Sequence, residues 1–184
     1  MSPPTPTILG IDPGTRVSGY GILEVSTRGP RYRASGTIRS PHAGATPGDR
    51  LRALRDGLLQ VFRKHRPDVV ALETPFVGRN VRSALRIGEA RGVILLTASE
   101  AGVPVHEYAP AEVKRSVVGH GGASKPQVAS LVQVWLGLPS PPRPADAADA
   151  LGLALCHAQR SRVAPLLRPP PASLRRRSPA ACPA

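Results

Sequence analysis

Apolar segments that end in a carboxylate most strongly constrain how this chain can fold. LGIDPGTRVSGYG carries Asp12 where an apolar strand meets a Gly-containing turn, and DVVALETPF carries Glu73 at the end of a second apolar run. Asp146 and Asp149 lie three residues apart in PADAADALGLAL, so a helix would place them on one face. On a chain that is otherwise strongly basic, this pattern predicts a cation site that faces a polyanion.

The charge balance favours nucleic acid or an anionic membrane as the partner. The 184 residues include 25 Lys and Arg against 12 Asp and Glu, a net charge of +13. About +7 remains on the first 149 residues when the six arginines beyond Asp149 are left out. No segment is long and apolar enough to span a bilayer, and the N-terminus lacks a signal-peptide layout. Of the two classes of partner, nucleic acid is expected and a membrane is not. Cys156 and Cys182 fit neither a zinc site nor a disulfide framework, which predicts a reducing cytoplasm.

The apolar periodicity and the turn residues predict an α/β fold, a mixed sheet with helices on its faces. Tight turns separate the first three strands and favour antiparallel neighbours. Beyond about residue 162 the chain is rich in Pro, Ser and Arg, so residues 162–184 are predicted to form a disordered tail. The expected strands are 7–12, 18–26, 31–39, 68–73 and 103–109. The first expected helix begins at Thr46–Pro47, and the four later helices span Arg79 to about Ala101, 110–118, 126–136 and 146–159.

The four acids have the chemistry needed to hydrolyse a phosphodiester. Its negative charge must be neutralised and its attacking and leaving oxygens stabilised, which two divalent ions can do, and Mg²⁺ prefers carboxylate oxygens. Asp12 can bridge two such ions, with Glu73 and Asp146 or Asp149 completing the ligand set. Simpler roles stay open: Asp12 as a turn former, Glu73 as a strand end and Asp146 as a helix-dipole partner. Mn²⁺ shares the ligand preference, so the sequence leaves the ion open.

Four segments resemble, in order and spacing, the RuvC family of Holliday-junction resolvases: ILGIDPGTRVSGYGIL, ALETPFVGRNVRSALRIGEARGVI, YAPAEVKRSVVGHGGASK and ADAADALGLAL. The resemblance spans about residues 7 to 158 and implies a ribonuclease-H-like nuclease domain over residues 1–161, with a mixed five-stranded sheet flanked by helices. It also implies a homodimer that makes Mg²⁺-dependent nicks in two opposed strands of a four-way DNA junction, leaving 5′-phosphate and 3′-hydroxyl ends, and that cooperates with a RuvA–RuvB branch-migration motor. The implied catalytic residues and metal ligands are Asp12, Glu73, Asp146 and Asp149, with Asp146 the more replaceable because some members have histidine there.

The resemblance also implies DNA contacts. Phe76 stands where the family's aromatic residue meets an unpaired base, and a ring can stack on any base face. Lys114 and Lys125 flank VVGHGGAS and match the family's DNA-contacting lysines. The simpler interpretations are that Phe76 fills core space and that the lysines lie on a solvated loop.

One helix is predicted to carry two further features. Arg79, Arg82 and Arg86 share a face, which predicts either phosphate contacts or a solvated basic surface. Gly88 and Gly92 are four residues apart and permit another helix to approach closely. We interpret them as a dimer seam, while packing onto the chain's own sheet remains an alternative.

Two other classes of function remain open. DPGT also resembles the phosphate-binding start of actin-like phosphotransferases, although 184 residues leave little room for the second domain that those proteins need. A non-catalytic junction-binding protein would share the basic charge, but a pure binder gains nothing from carboxylates where phosphates must pass. The sequence therefore predicts a metal-dependent endodeoxyribonuclease that resolves four-way junctions.

Overall fold

The computed structural model describes residues 5–14, 16–42, 44–74 and 81–161, which form five strands and five helices. The predicted order of elements is confirmed. The strands are β1 (Thr7–Asp12), β2 (Val17–Ser26), β3 (Gly29–Arg39), β4 (Val69–Glu73) and β5 (Val105–Tyr108). The helices are α1 (Pro47–His65), α2 (Val81–Glu100), α3 (Pro110–Val118), α4 (Lys125–Leu136) and α5 (Ala145–Arg160).

Some element ends differ from the prediction. The β2–β3 hairpin is longer, because Ser26 pairs with Gly29 at the turn and Gly29 adopts a φ of 115° that favours glycine. β5 is shorter than the predicted 103–109 and pairs with β4. The predicted start of α2 at Arg79 lies outside the described residues, and the predicted tail over 162–184 also lies outside them.

The strand order is β3-β2-β1-β4-β5, so β1 is the central strand. β1 is antiparallel to β2 and parallel to β4, with Ile11 opposite Leu72. The carboxyl ends of β1 and β4 therefore lie side by side at one edge of the sheet, and each ends in an acid. This mixed five-stranded sheet confirms the predicted fold class.

Helices cover both faces of the sheet. One face packs against α3, α4 and α5 through residues such as Ile8, Leu23 and Leu151, and the other packs against α1 and α2 through Leu9 and Leu58. No helix in the described part of the chain is long and apolar enough to cross a membrane.

Close packing of α5 on β1 positions its acids. A Cβ at Gly10 would lie 1.9 Å from the backbone oxygen of Ala150, and a Cβ at Gly19 would lie 2.0 Å from that of Asp146. Only glycine permits backbones to approach so closely. The first turns of α5 are therefore held against the strand ends that carry Asp12.

Candidate active site

The predicted acids come together at one edge of the sheet. Asp12 ends β1, Glu73 ends the neighbouring β4, and Asp149 lies about one turn from the start of α5, in the helix packed over them. These three carboxylates line one pocket of about 210 Å³. Asp146 does not line this pocket, but its charge helps to raise the pKa of Asp12, so it lies close to the cluster.

The pocket lined by Asp12, Glu73 and Asp149, called the acid pocket from here on, concentrates negative charge that a cation would stabilise. Burial and the carboxylates of Glu73 and Asp149 raise the pKa of Asp12 from its ordinary 3.8 to about 7. The pKa of Glu73 is also raised, chiefly by burial and then by repulsion from Asp149. Desolvation and like charges both disfavour ionised carboxylates. A cation among these residues would favour their ionised form and would bring hard oxygen ligands into use.

Lys125 supplies one positive charge at this position. Its Nζ donates a hydrogen bond of 2.6 Å to Oδ2 of Asp149, and this bond is the main reason that the pKa of Lys125 is raised. The ammonium stands in for part of the charge that a metal ion would bring. Among the described residues, no group of three His, Cys, Asp or Glu side chains is already arranged around a metal position. The donor set is nevertheless that of a Mg²⁺ or Mn²⁺ site, because carboxylate oxygens are its chemistry.

The residues predicted to contact DNA differ in their position relative to the acid pocket. Lys114 and Lys125 both line the acid pocket, which places two ammonium groups beside the carboxylates. Arg82 is exposed on α2, away from that lining. Phe76 and Arg79 lie outside the described residues, so their predicted roles remain predictions.

Arg91 is a residue in contact with the site that the sequence analysis missed. Its side chain is buried on the inner face of α2, and its guanidinium donates hydrogen bonds to the backbone oxygen of Glu73 and, at 2.8 Å, to the Glu107 carboxylate. Arg91 thereby ties the end of β4 to α2 and to β5. The available signal was a charged residue in the apolar stripe of a helix, between Ala90 and Ile94.

Replacing Arg91 should affect both stability and activity. Arg91→Ala removes the donor to Glu73 and leaves the Glu107 carboxylate without its partner. We expect the free energy of unfolding to fall by about 1–3 kcal/mol, because the backbone oxygen of Glu73 loses its donor, whereas water can solvate the exposed Glu107 carboxylate. We also expect DNA cleavage at saturating metal to slow by about tenfold, because the backbone that carries Glu73 loses its support. Urea denaturation and single-turnover kinetics measure the two effects.

Arg91→Lys is the matched variant, because it keeps the charge but loses the planar pair of donors. An intermediate cleavage rate is expected for it. A destabilised Arg91→Ala protein that cleaves at the parent rate, measured where both proteins are fully folded, would contradict the positioning role.

The surroundings of Gly88 and Gly92 on α2 show whether these glycines pack onto the chain's own sheet. A Cβ built at Gly88 or at Gly92 would meet no atom within 4 Å in the described part of the protein. These glycines therefore do not serve close packing onto the chain's own sheet. Val81, Leu85 and Leu96 are apolar residues of the same helix that are 67%, 65% and 56% exposed.

Comparison with known proteins identifies the family of this chain. The model of the family described as crossover junction endodeoxyribonuclease RuvC matches residues 8–157. A RuvC protein of Chloroflexus aurantiacus is 49% identical over 150 residues, covering 82% of this chain and 91% of the relative. One of Alkalilimnicola ehrlichii is 47% identical over 163 residues, covering 89% of this chain and 97% of the relative.

A solved structure supports the same relationship. Thermus thermophilus RuvC in complex with Holliday junction substrate superposes with a TM-score of 0.77 at 37% identity, covering 83% of this chain and 92% of that one. The predicted ribonuclease-H-like fold is thereby confirmed. This chain belongs to the RuvC family of crossover junction endodeoxyribonucleases.

Proposed function

We propose that this protein is a metal-dependent endonuclease that resolves four-way DNA junctions during recombination and repair in the cytoplasm. The pocket in which Asp12, Glu73 and Asp149 meet Lys114 and Lys125 carries the proposal. Carboxylates that can bind a metal ion and ammonium groups that can bind a phosphate line the same pocket. Membership in a family of endodeoxyribonucleases favours this function over a non-catalytic junction binder and over an actin-like phosphotransferase.

The metal ligands in this proposal are the four acids, with Asp12 at their centre. Two Mg²⁺ ions, or Mn²⁺ in their place, would be held by Asp12, Glu73, Asp146 and Asp149. When bound, such ions would neutralise the phosphodiester and lower the pKa of water. Attack by water with cleavage of the bond between phosphorus and the 3′ oxygen would leave a 5′-phosphate and a protonated 3′-hydroxyl end. Lys114 and Lys125 orient the scissile phosphate against the acids.

The DNA contacts outside the acid pocket are proposed from the family resemblance. Phe76 would stack on a base at the crossover, where pairing is open. Arg79, and Arg82 in the first turn of α2, would contact phosphates of the DNA. Residues 1–161 would act as the nuclease domain, and the basic tail over 162–184 would add affinity at low salt.

The partner in solution is proposed to be a second copy of the chain. The outer face of α2 carries exposed apolar residues and glycines with open space beside them in the described part of the protein. Contact with a helix of a second copy would remove this apolar surface from water. A two-fold pair presents two identical sites, as symmetric nicking of two strands requires. A RuvA–RuvB motor is the further partner that the family resemblance suggests.

The test is a cleavage assay with a mobile four-way junction and a linear duplex of matched sequence, in Mg²⁺, Mn²⁺ and EDTA. We expect paired nicks at symmetric positions of the junction, sealable by a ligase, with either metal and not in EDTA. The linear duplex should remain intact. Junction binding without nicking under every metal condition would leave a binding protein and overturn the proposal.

A further inference from the structure

A second concave site lies at the acid-bearing edge of the sheet. Its cavity of about 180 Å³ is formed by the β1–β2 turn, the end of β3, the start of α1 and the first half of α2. Gly14, two residues beyond Asp12, lines it. Because α1 and α2 cover the face of the sheet opposite α5, this cavity is separate from the acid pocket. Its charged lining residues are Arg16, Arg39, Arg50, Arg86 and Glu89.

The lining of this cavity is strongly positive. Four arginines face one carboxylate, and Arg16, Arg39 and Arg86 are exposed to solvent. No carboxylate among the described residues forms an ion pair with these three. The hydroxyl of Ser40 also lines the cavity and is buried without a hydrogen-bond partner in the described part of the chain. Donors concentrated in a hollow suit an anion.

Local backbone structure holds Arg16 at this site. The Gly14 N–H donates to the Ser18 hydroxyl at 3.2 Å, and the Ser40 N–H donates to the Arg16 backbone oxygen at 2.8 Å. A Cβ at Gly14 would lie 1.8 Å from the backbone oxygen of Val17, so the turn requires glycine. The hydrogen bond from Ser40 therefore holds the backbone of Arg16 beside the cavity that Arg16 lines.

A neighbouring hollow extends the basic surface. It is lined by Arg16, Arg39, Ser40 and Arg50 as well as Val17 and His42, so the two concavities share four residues. A single small anion would fill one hollow. A chain of regularly spaced phosphates can occupy both, and duplex DNA is such a chain.

We propose that this cavity, defined here as the arginine cavity, binds backbone phosphates of a DNA arm whose scissile strand lies in the acid pocket. The inference rests on the proposed function and adds a second anchor to it. DNA presented to Asp12 at this edge of the sheet passes the turn that carries Arg16. Phosphate contacts there fix the position of the arm without reading its sequence.

Junction affinity in EDTA tests the arginine cavity without requiring cleavage. We expect R16A/R39A to bind a four-way junction about tenfold more weakly at low salt and to lower the slope of log Kd against log salt by about 2, one for each lost phosphate contact. R16K/R39K should retain most of the affinity, since a lysine can still contact phosphate as a point charge. Thermal melting checks that each variant is folded.

The matched control is R63A/K64A, which removes the same charge from the far end of α1. These exposed residues lie about 20 Å along the helix from Arg50, at the rise of an α-helix. Equal losses of affinity for R16A/R39A and R63A/K64A would overturn the proposal and leave a general charge effect. Unchanged junction affinity, together with loss of stabilisation by inorganic phosphate in R16A/R39A, would also overturn it in favour of a small-anion site.

The two proposals can fail separately. If the parent protein never nicks a junction in metal while R16A/R39A still loses affinity in EDTA, the proposed function fails and the arginine cavity stands. If the parent nicks normally and R16A/R39A binds like the control, the arginine cavity alone is rejected.

Discussion

Asp12→Asn is expected to slow cleavage of a four-way junction by about 1,000-fold, the scale on which lost transition-state charge stabilisation is measured. Asparagine keeps the shape of the side chain but lacks the charge with which Asp12 would hold a metal ion in the proposed site. Junction binding should be unchanged or tighter, because one negative charge near the phosphates disappears. Single-turnover cleavage in Mg²⁺ and fluorescence anisotropy in EDTA measure the two quantities.

Asp56→Asn is the matched control for this substitution. Asp56 is an exposed residue of α1 that lines neither the acid pocket nor the arginine cavity. It loses the same charge, so its cleavage rate should stay within about twofold of the parent, as expected for a surface substitution. Cleavage by Asp12→Asn at the parent rate would remove Asp12 from the catalytic residues.

The second large effect is on stability, and it depends on pH. The pKa of Asp12 is about 7 in the folded protein against an ordinary 3.8, so the folded state holds this proton more tightly than the unfolded state. As pH rises from about 4 through 7, ionisation of Asp12 therefore costs folding free energy, up to about 4 kcal/mol above that window. Asp12→Asn removes this cost. In EDTA, its gain in stability over the parent should grow by about 2–3 kcal/mol between about pH 5 and pH 8.

Urea denaturation in EDTA at the two pH values gives this difference, and Asp56→Asn serves as the control that loses an exposed carboxylate. Added Mg²⁺ should stabilise the parent more than Asp12→Asn at about pH 8, because a ligand that binds the folded state raises its stability. A gain for Asp12→Asn that is equal at both pH values would show that Asp12 does not hold a raised pKa.

The order of the elements and the meeting of the acids could be predicted from the sequence. Apolar periodicity identified the strands, and an acid at the end of each of two strands needs only parallel neighbours to come together. Asp12 and Glu73 meet for this reason, because β1 and β4 are adjacent and parallel. The position of α5 was harder to predict, since it depends on glycines such as Gly10. In the sequence Gly10 looks like an ordinary strand residue, and only the structure shows that the backbone of α5 lies against it.

Contacts between distant side chains could not be predicted. Lys125 was expected to contact DNA, but its hydrogen bond to Asp149 depends on how α4 and α5 pack. Arg91 binds the backbone of Glu73, and backbone oxygens carry no signal in a sequence. Gly88 and Gly92 had two interpretations that only the surroundings of the folded helix could distinguish. These features all depend on packing between elements and not on local pattern.

Helix α2 has a mechanical consequence for any dimer built on it. Its inner face holds the backbone of Glu73 through Arg91, and its outer face carries the exposed apolar residues. A second copy seated on that outer face would join the two acid pockets through α2 of each copy, because Arg91 binds the backbone of Glu73 directly. The packing of the two α2 helices would then fix the distance between the two cuts. A substitution that shifted one α2 against the other would change both cut positions together.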